Sequence, residues 1–217
     1  MRVIVFAKAP VAGAAKTRLI PALGAEGAVR LHERLVDRAL QTARAADLGP
    51  VELCCAPDRS HPFFGSRATR FGVSLTEQGE GDLGARMHRA LAAGLPALLI
   101  GSDGPAMTPQ YLADAAAAIA AGHDAALGPA EDGGYVLVAA GRIRPEAFAH
   151  IRWGGPAVME DQRARLQALG WRWVELAPLW DVDRPEDLER VRDEMPDGAA
   201  LLADLMPGAK EDRGRNH

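Results

Sequence analysis

Short apolar runs alternate with longer amphipathic ones along nearly the whole chain, and this rhythm constrains the fold more than any other feature. Strand-like runs at 3–7, 51–56, 72–76 and 97–101 are interleaved with helical patterns at 26–45 and 83–93. The second half continues with a helix at 109–121, strands at 124–128 and 135–140, a helix at 156–169, a strand at 171–176 and a helix at 185–194. Such alternation predicts helices packed on a mainly parallel sheet. Between 124–128 and 135–140, however, stands only Pro129-Ala-Glu-Asp-Gly-Gly134, a turn-rich segment too short for a crossover helix. That connection predicts an antiparallel or irregular pairing, and hence a mixed sheet.

The 217 residues, 48% hydrophobic and 25% charged, suffice for one substantial core. A single domain is expected over 1–206, followed by a tail, 207–217, that has no apolar periodicity and is expected to fray. The net charge of −4 supplies no global basic field, so nucleic acid is not an expected partner. No stretch approaches the roughly 18 apolar residues that span a bilayer, and Met1 leads directly into a strand; a cytoplasmic protein with no membrane partner is expected. The two cysteines, Cys54 and Cys55, are neighbours in an apolar strand and point to opposite faces, which reads as core packing rather than metal or redox chemistry.

The first strand runs into Lys8-Ala9-Pro10-Val-Ala-Gly13-Ala-Ala-Lys16-Thr-Arg18. A small-residue loop at a strand end, carrying three cations and leading into a helix, offers backbone N–H groups and positive charge to one anionic ligand. The spacing matches neither a Walker loop nor a dinucleotide fingerprint, and the plain alternative is a basic, solvent-exposed turn.

The strand at 97–101 delivers Ser102-Asp103-Gly-Pro at its carboxyl end, where open α/β sheets place ligand-binding groups. One carboxylate there suits Mg²⁺ or Mn²⁺, which bind through one or two carboxylates, waters and substrate phosphates. A capping role for Asp103 is the alternative, although Thr108 before Pro109 already fits that task. In Trp180-Asp181-Val-Asp183-Arg-Pro185 an extended backbone puts Asp181 and Asp183 on one face, within reach of a single cation, while Asp183 also fits a helix N-cap. In Glu131-Asp132-Gly133-Gly134-Tyr135 the glycines permit close approach to a ligand and either acid is a candidate base; the plain alternative is a hairpin turn with Tyr135 packed beneath it. In Gly81-Asp82-Leu-Gly84-Ala-Arg86-Met87, Asp82 fits an N-cap, and the glycines with Arg86 fit a loop over a base or phosphate. Trp153 is either a lid over a ligand or a core anchor. The scattered histidines and the absence of a Gly-x-Ser-x-Gly elbow disfavour zinc enzymes and serine hydrolases.

Taken in order, Lys8-Ala-Pro10…Gly13…Lys16-Thr-Arg18, Gly81-Asp-Leu-Gly84-x-Arg86-Met87, Ser102-Asp103-x-Pro105, Glu131-Asp-Gly-Gly-Tyr135 and Asp181-Val-Asp183-x-Pro-Glu-Asp187 resemble the CofC-like bacterial glycosyltransferase/nucleotidyltransferase family. These are arsenosugar-biosynthesis-type, rSAM/selenodomain-associated transferases within the nucleotide-diphospho-sugar transferase superfamily. The resemblance implies a GT-A-like, Rossmann-like three-layer α/β/α sandwich with a mixed, mainly parallel sheet. It also implies a divalent ion, Mg²⁺ or Mn²⁺, on Asp103 with Asp183 or Asp181, and phosphate contacts from Lys8, Lys16 and Arg18. The chain departs from relatives in having Gly104 after Asp103 and no Gly-Gly in its first loop, so base preference does not transfer.

Two reactions fit. In nucleotidyl transfer a small phosphorylated or phosphonate acceptor attacks the α-phosphorus of a nucleoside triphosphate, pyrophosphate leaves, and cations near the β- and γ-phosphates stabilise the growing charge. In glycosyl transfer a nucleotide sugar is the donor and Glu131 or Asp132 is the candidate base for the acceptor hydroxyl. Three cations on one loop favour the first. The expected partners are a nucleotide donor and a small-molecule acceptor.

Overall fold

β1 (Arg2–Lys8) is buried from Val3 to Ala7, as a strand covered on both faces must be. It is an inner strand, third from one edge, of a seven-stranded sheet in a computed structural model that describes residues 1–205; the tail expected at 207–217 lies outside the described residues. The order is β3-β2-β1-β4-β6-β5-β7, with β2 (Val51–Ala56), β3 (Ser74–Glu77), β4 (Ala97–Ile100), β5 (Ala125–Pro129), β6 (Tyr135–Ala140) and β7 (Trp173–Glu175). β6 pairs antiparallel with both β4 and β5, while the other four pairings are parallel. The sheet is therefore mixed, and the expected short connection is an antiparallel turn at residues 130–134.

Helices cover both faces. On one, side chains of α1 (Ile20–Ala45), α2 (Pro62–Phe71) and α4 (Pro109–Ala120) pack with Val3, Val5, Leu53, Cys55, Leu98 and Ile100. On the other, α3 (Leu83–Ala92) and α5 (Val158–Ala168) pack with Ile4, Phe6, Cys54, Leu99 and Val138. Cys54 and Cys55 thus fall on opposite faces of β2, both buried as core residues. A third cluster joins Leu19, Leu31 and Leu35 to Trp180, Val182, Val191 and Leu201, tying α6 (Pro185–Glu194) and α7 (Gly198–Leu202) to the flank of α1. The result is a GT-A-like α/β/α sandwich. No helix among the described residues is long and apolar enough to cross a membrane.

Several boundaries differ from the sequence reading. The long helix starts at Ile20, but Gly24 (φ 69°) kinks it, so the segment after the kink is the one expected from residue 26. α2 was not expected; it forms because His61 accepts from the Phe63 N–H, Pro62 occupies the first turn, and Phe63 and Phe64 are buried. Gly72, left-handed at φ 62°, ends that helix and delays β3 to Ser74.

Candidate active site

The carboxyl ends of β1, β2 and β4 lie side by side, and the residues beyond them form a cleft. At the end of β1 the Ala9 N–H donates to the Ala56 carbonyl (2.8 Å), and the N–H groups of Ala14 and Ala15 return to the Val11 carbonyl, folding residues 9–15 into a tight turn. Gly13 (φ 80°) and Lys16 (φ 49°) carry the left-handed backbone the turn requires. The turn sends Lys16 inward. Its side chain is 4% exposed, with Nζ 2.8 Å from Asp103 Oδ1, and it also donates to the Val182 carbonyl. Arg18 stays at the surface, paired with Asp183. Lys8 is exposed and is in no ion pair among the described residues.

Asp103 sits just past β4, with the Ser102 hydroxyl 3.3 Å from Oδ1. Burial alone would raise its carboxyl pKa, but the Lys16 ammonium and the hydrogen bonds outweigh burial and hold it below the usual carboxylate range. Half of the side-chain surface still meets solvent through the cleft, although protein surrounds it. The Asp103 carbonyl accepts from the Val182 N–H at 2.9 Å, which docks residues 180–183 beside the β4 end. Burial, then the nearby Asp132 and Asp103 carboxylates, push Asp181 up to about 6. His32, on α1, places Nε2 2.9 Å from the Lys8 carbonyl, and burial pushes its pKa down.

Three cavities adjoin along this edge of the sheet. The main one, about 360 Å³, is lined by Phe6, Lys8, Lys16, Leu83, Met87 and Asp103 among others. A recess of about 160 Å³ shares Asp103 and Tyr135 with it and adds Asp132 and Asp181. An outer hollow, also about 360 Å³, shares Asp132 and Asp181 with the recess and adds Arg18, Asp183, Arg184 and Arg190.

The structure gathers some of the expected residues and sets others aside. Lys8, Lys16, Ser102 and Asp103 line the main cavity, whereas Ala9, Pro10 and Gly13 shape the turn without lining it. Asp82 caps α3 by accepting from the Ala85 N–H (2.8 Å), and Arg86 donates back to the Gly81 carbonyl. Gly84 packs against Trp153, where a Cβ would lie 2.8 Å from the indole. From this motif it is Leu83 and Met87 that reach the cavity. Trp153 meets Tyr135 edge-on (6.2 Å between centroids), as a packing anchor does. Glu131 lines the outer hollow, where Arg190, stacked over Trp180, holds it at 2.6 and 3.0 Å. Asp132 accepts from the Gly134 N–H (2.8 Å), and a Cβ on Gly133 (φ 91°) would come 2.1 Å from the Pro156 carbonyl, so the two glycines make a turn and a close packing contact. The helix after residue 183 is capped by Arg184 and by the Asp187 carboxylate, which accepts from the N–H groups of Asp183 and Arg184 (2.8 and 2.6 Å), instead of by Asp183. His32, Gln78 and Thr17 face the cleft without having been singled out; His32 hides in an amphipathic helix, and Gln78 stands just ahead of the Gly81 motif.

As a metal site the donor set is partial. No three His, Cys, Asp or Glu side chains among the described residues are gathered into a metal-binding group. Asp103, Asp132 and Asp181 nevertheless line one small recess. Asp103 and Asp181 fit a hard ion that takes one or two carboxylates and completes its shell with water and phosphate.

Residues 39–155 match the family described as "uncharacterized protein conserved in bacteria (DUF2064)". The chain belongs to this DUF2064 family. No curated protein matches it. Among solved structures it is similar to a "putative nucleotide-diphospho-sugar transferase" of Desulfovibrio desulfuricans G20, with 28% identity over 93% of each chain and a TM-score of 0.80. CMP:2-keto-3-deoxy-manno-octonic acid synthetase, solved with CTP, shares the fold at 15% identity and a TM-score of 0.51, over 89% of this chain and 97% of that one. So does 4-diphosphocytidyl-2C-methyl-D-erythritol synthase of Anaerococcus prevotii DSM 20548, at 9% identity and 0.55, over 85% and 92%. This DUF2064 protein thus has the fold of nucleotidyl and nucleotide-diphospho-sugar transferases.

Proposed function

We propose that this protein is a nucleotide-dependent transferase, with residues 1–206 as one working unit. It holds a nucleoside triphosphate in the main cleft and moves the nucleotidyl group to a small phosphorylated or phosphonate acceptor, releasing pyrophosphate. The observation that carries this reading is the gathering of Lys8, Lys16 and Asp103 on one cavity that Phe6, Leu83 and Met87 also line. The cations suit a polyphosphate and the apolar side chains the face of a base. The finer likeness to CofC-like transferases belongs to the same proposal.

In this mechanism an acceptor oxygen attacks the α-phosphorus in line; the new P–O bond forms as the bond to the pyrophosphate oxygen breaks, and that electron pair leaves with pyrophosphate. The acceptor is already ionised and needs no base. Lys8, uncommitted and exposed, is the charge free to follow the leaving phosphates, while buried Lys16 gives the floor of the cleft a fixed positive charge. Mg²⁺ or Mn²⁺, held by Asp103 with Asp181, supplies neutralisation of phosphate charge when bound. Asp181 is preferred to Asp183 as the second ligand because it lines the small recess together with Asp103, whereas Asp183 lines the outer hollow. The outer hollow, open to the recess through Asp132 and Asp181, receives the acceptor.

A second reading, glycosyl transfer from a nucleotide sugar, is favoured by one feature. Asp181, raised to about 6 beside Asp132, is tuned to take a proton from an acceptor hydroxyl. A thermal-shift panel of ATP, CTP, GTP and UTP and of UDP-, GDP- and ADP-sugars, with and without Mg²⁺, separates the two. A ligand at about 100 times its Kd adds about 2.7 kcal/mol. Metal-dependent stabilisation by one triphosphate, followed by pyrophosphate release with acceptor, supports nucleotidyl transfer. Preference for a nucleotide sugar supports the second reading, and no stabilisation by any of them defeats both.

A further inference from the structure

Gln78 directly follows β3, and its backbone N–H extends the ladder to the Cys55 carbonyl at 2.9 Å. Its side chain, in a residue only 5% exposed, reaches across the carboxyl ends of two strands: Nε2 lies 3.3 Å from the Ala7 carbonyl of β1 and 3.1 Å from the Cys54 carbonyl of β2. Both partners are carbonyl oxygens, which only accept. The amide is therefore fixed with its two N–H groups donating, since a flipped amide would set oxygen against oxygen.

That orientation leaves Oε1 with no donor among the described residues, and Gln78 lines the main cavity. The sealed side-chain polar atoms without a partner among those residues are Trp153 Nε1 and Arg165 Nε, so Gln78 Oε1 opens to the cleft. Arg89 holds the Gln78 carbonyl at 2.5 Å and the Glu80 carbonyl at 3.0 Å, and a Cβ on Gly79 would press to 2.6 Å of its guanidinium. Leu83 lines the same cavity and is 43% exposed, an apolar surface that no described residue covers.

We infer that Gln78 reads the donor's nucleobase. Oε1 accepts from an N–H on the edge of the base, and Leu83 and Met87 cover its flat face. Because both amide hydrogens are already committed, this position admits a base N–H and rejects a carbonyl or a bare ring nitrogen, which would leave two acceptors facing each other. The inference rests on the nucleotide-donor reading above.

Calorimetry on the intact protein tests it, using the tightest-binding nucleotide of the panel, its counterpart methylated at the edge N–H groups, and inorganic tripolyphosphate. Methylation is expected to weaken binding by roughly 10- to 100-fold, the loss that goes with one buried hydrogen bond. Gln78→Met is expected to weaken the unmodified nucleotide equally, leave the methylated one unchanged, and leave tripolyphosphate unchanged. Equal binding of methylated and unmodified nucleotide overturns the inference, as does a parallel loss of all three ligands in Gln78→Met. Should that variant not fold, the methylated nucleotide on the unaltered protein decides. If no nucleotide binds, this inference and the donor reading fall together; if nucleotides bind and base preference survives Gln78→Met, the inference alone falls.

Discussion

Lys16 Nζ lies 2.8 Å from Asp103 Oδ1, so the loop after β1 and the end of β4 are joined by one ion pair at the floor of the cleft. Each partner has a second use in the proposed reaction, Lys16 towards phosphate and Asp103 towards a cation. Arg18 and Asp183 repeat the arrangement at the surface. Before ligands arrive, cations and carboxylates satisfy one another.

Binding of Mg²⁺ and nucleotide is therefore expected to be mutually dependent. A cation on Asp103 frees Lys16, and a phosphate on Lys16 frees Asp103. Titrating the preferred nucleotide by calorimetry with and without Mg²⁺ should show at least a roughly tenfold gain in affinity, and the reverse titration the same factor. Independent affinities would contradict the exchange.

Removing one partner of the pair should cost more than activity. Asp103→Asn leaves a nearly buried ammonium without its countercharge, and a loss of roughly 1–2 kcal/mol is expected, discounted from the fully buried case because Asp103 is half open to solvent. Turnover should fall by about 10²-fold or more. Urea unfolding and initial rates measure the two effects separately.

Lys8 contributes charge without structure. It is exposed and unpaired among the described residues, so Lys8→Ala should leave Tm within about 1 °C and weaken triphosphate binding roughly tenfold. A large loss of Tm would show that Lys8 holds the loop instead.

The pH dependence follows from Asp181, raised to about 6. Its unfolded value is near 3.9, so the folded protein binds this proton more tightly. The contribution to stability is fully present below about 3.9 and is lost as pH rises to about 6. Asp181→Asn should abolish that decline and stabilise the protein at pH 7 by about 1 kcal/mol after allowance for solvent screening, or roughly 2–4 °C. Unfolding midpoints of both proteins across pH 4–7 test this.

Gly133→Ala tests the hairpin alone. The residue has φ 91° and no room for a Cβ, which would meet the Pro156 carbonyl at 2.1 Å. A loss of about 2–4 kcal/mol is expected, read by chemical denaturation, and an unchanged midpoint would refute the packing contact.

The layers of this fold were legible from period alone, because buried parallel strands such as Val3 to Ala7 are continuous apolar runs and their helices are amphipathic. The reversal at β6 was legible from the length of its connection. α2 was missed because Phe63 and Phe64 sit beside polar residues in too short a pattern for periodicity to register. At the site, Lys8, Lys16 and Asp103 stood out because strand ends face ligands. What the sequence could not disclose was pairing across the fold. Nothing local says that Asp183 meets Arg18, that Glu131 is taken by Arg190, or that Gly84 serves Trp153. Gln78 was hidden for the same reason, since its meaning lies in two carbonyls from other strands.

The cluster joining α1 to α6 and α7 bears on how the molecule is made. Lys16 and Arg18 are made before Val182 and Asp183, which position them and lie 166 and 165 residues later, and Leu205 is still part of the packing that fixes that segment. A nascent chain carries the loop without its partners, and the cleft takes shape only once α6 and α7 have been made. The strands of the sheet are all made before the loop gains these partners, so a chain stopped short of residue 180 lacks the contacts that place Lys16 and Arg18.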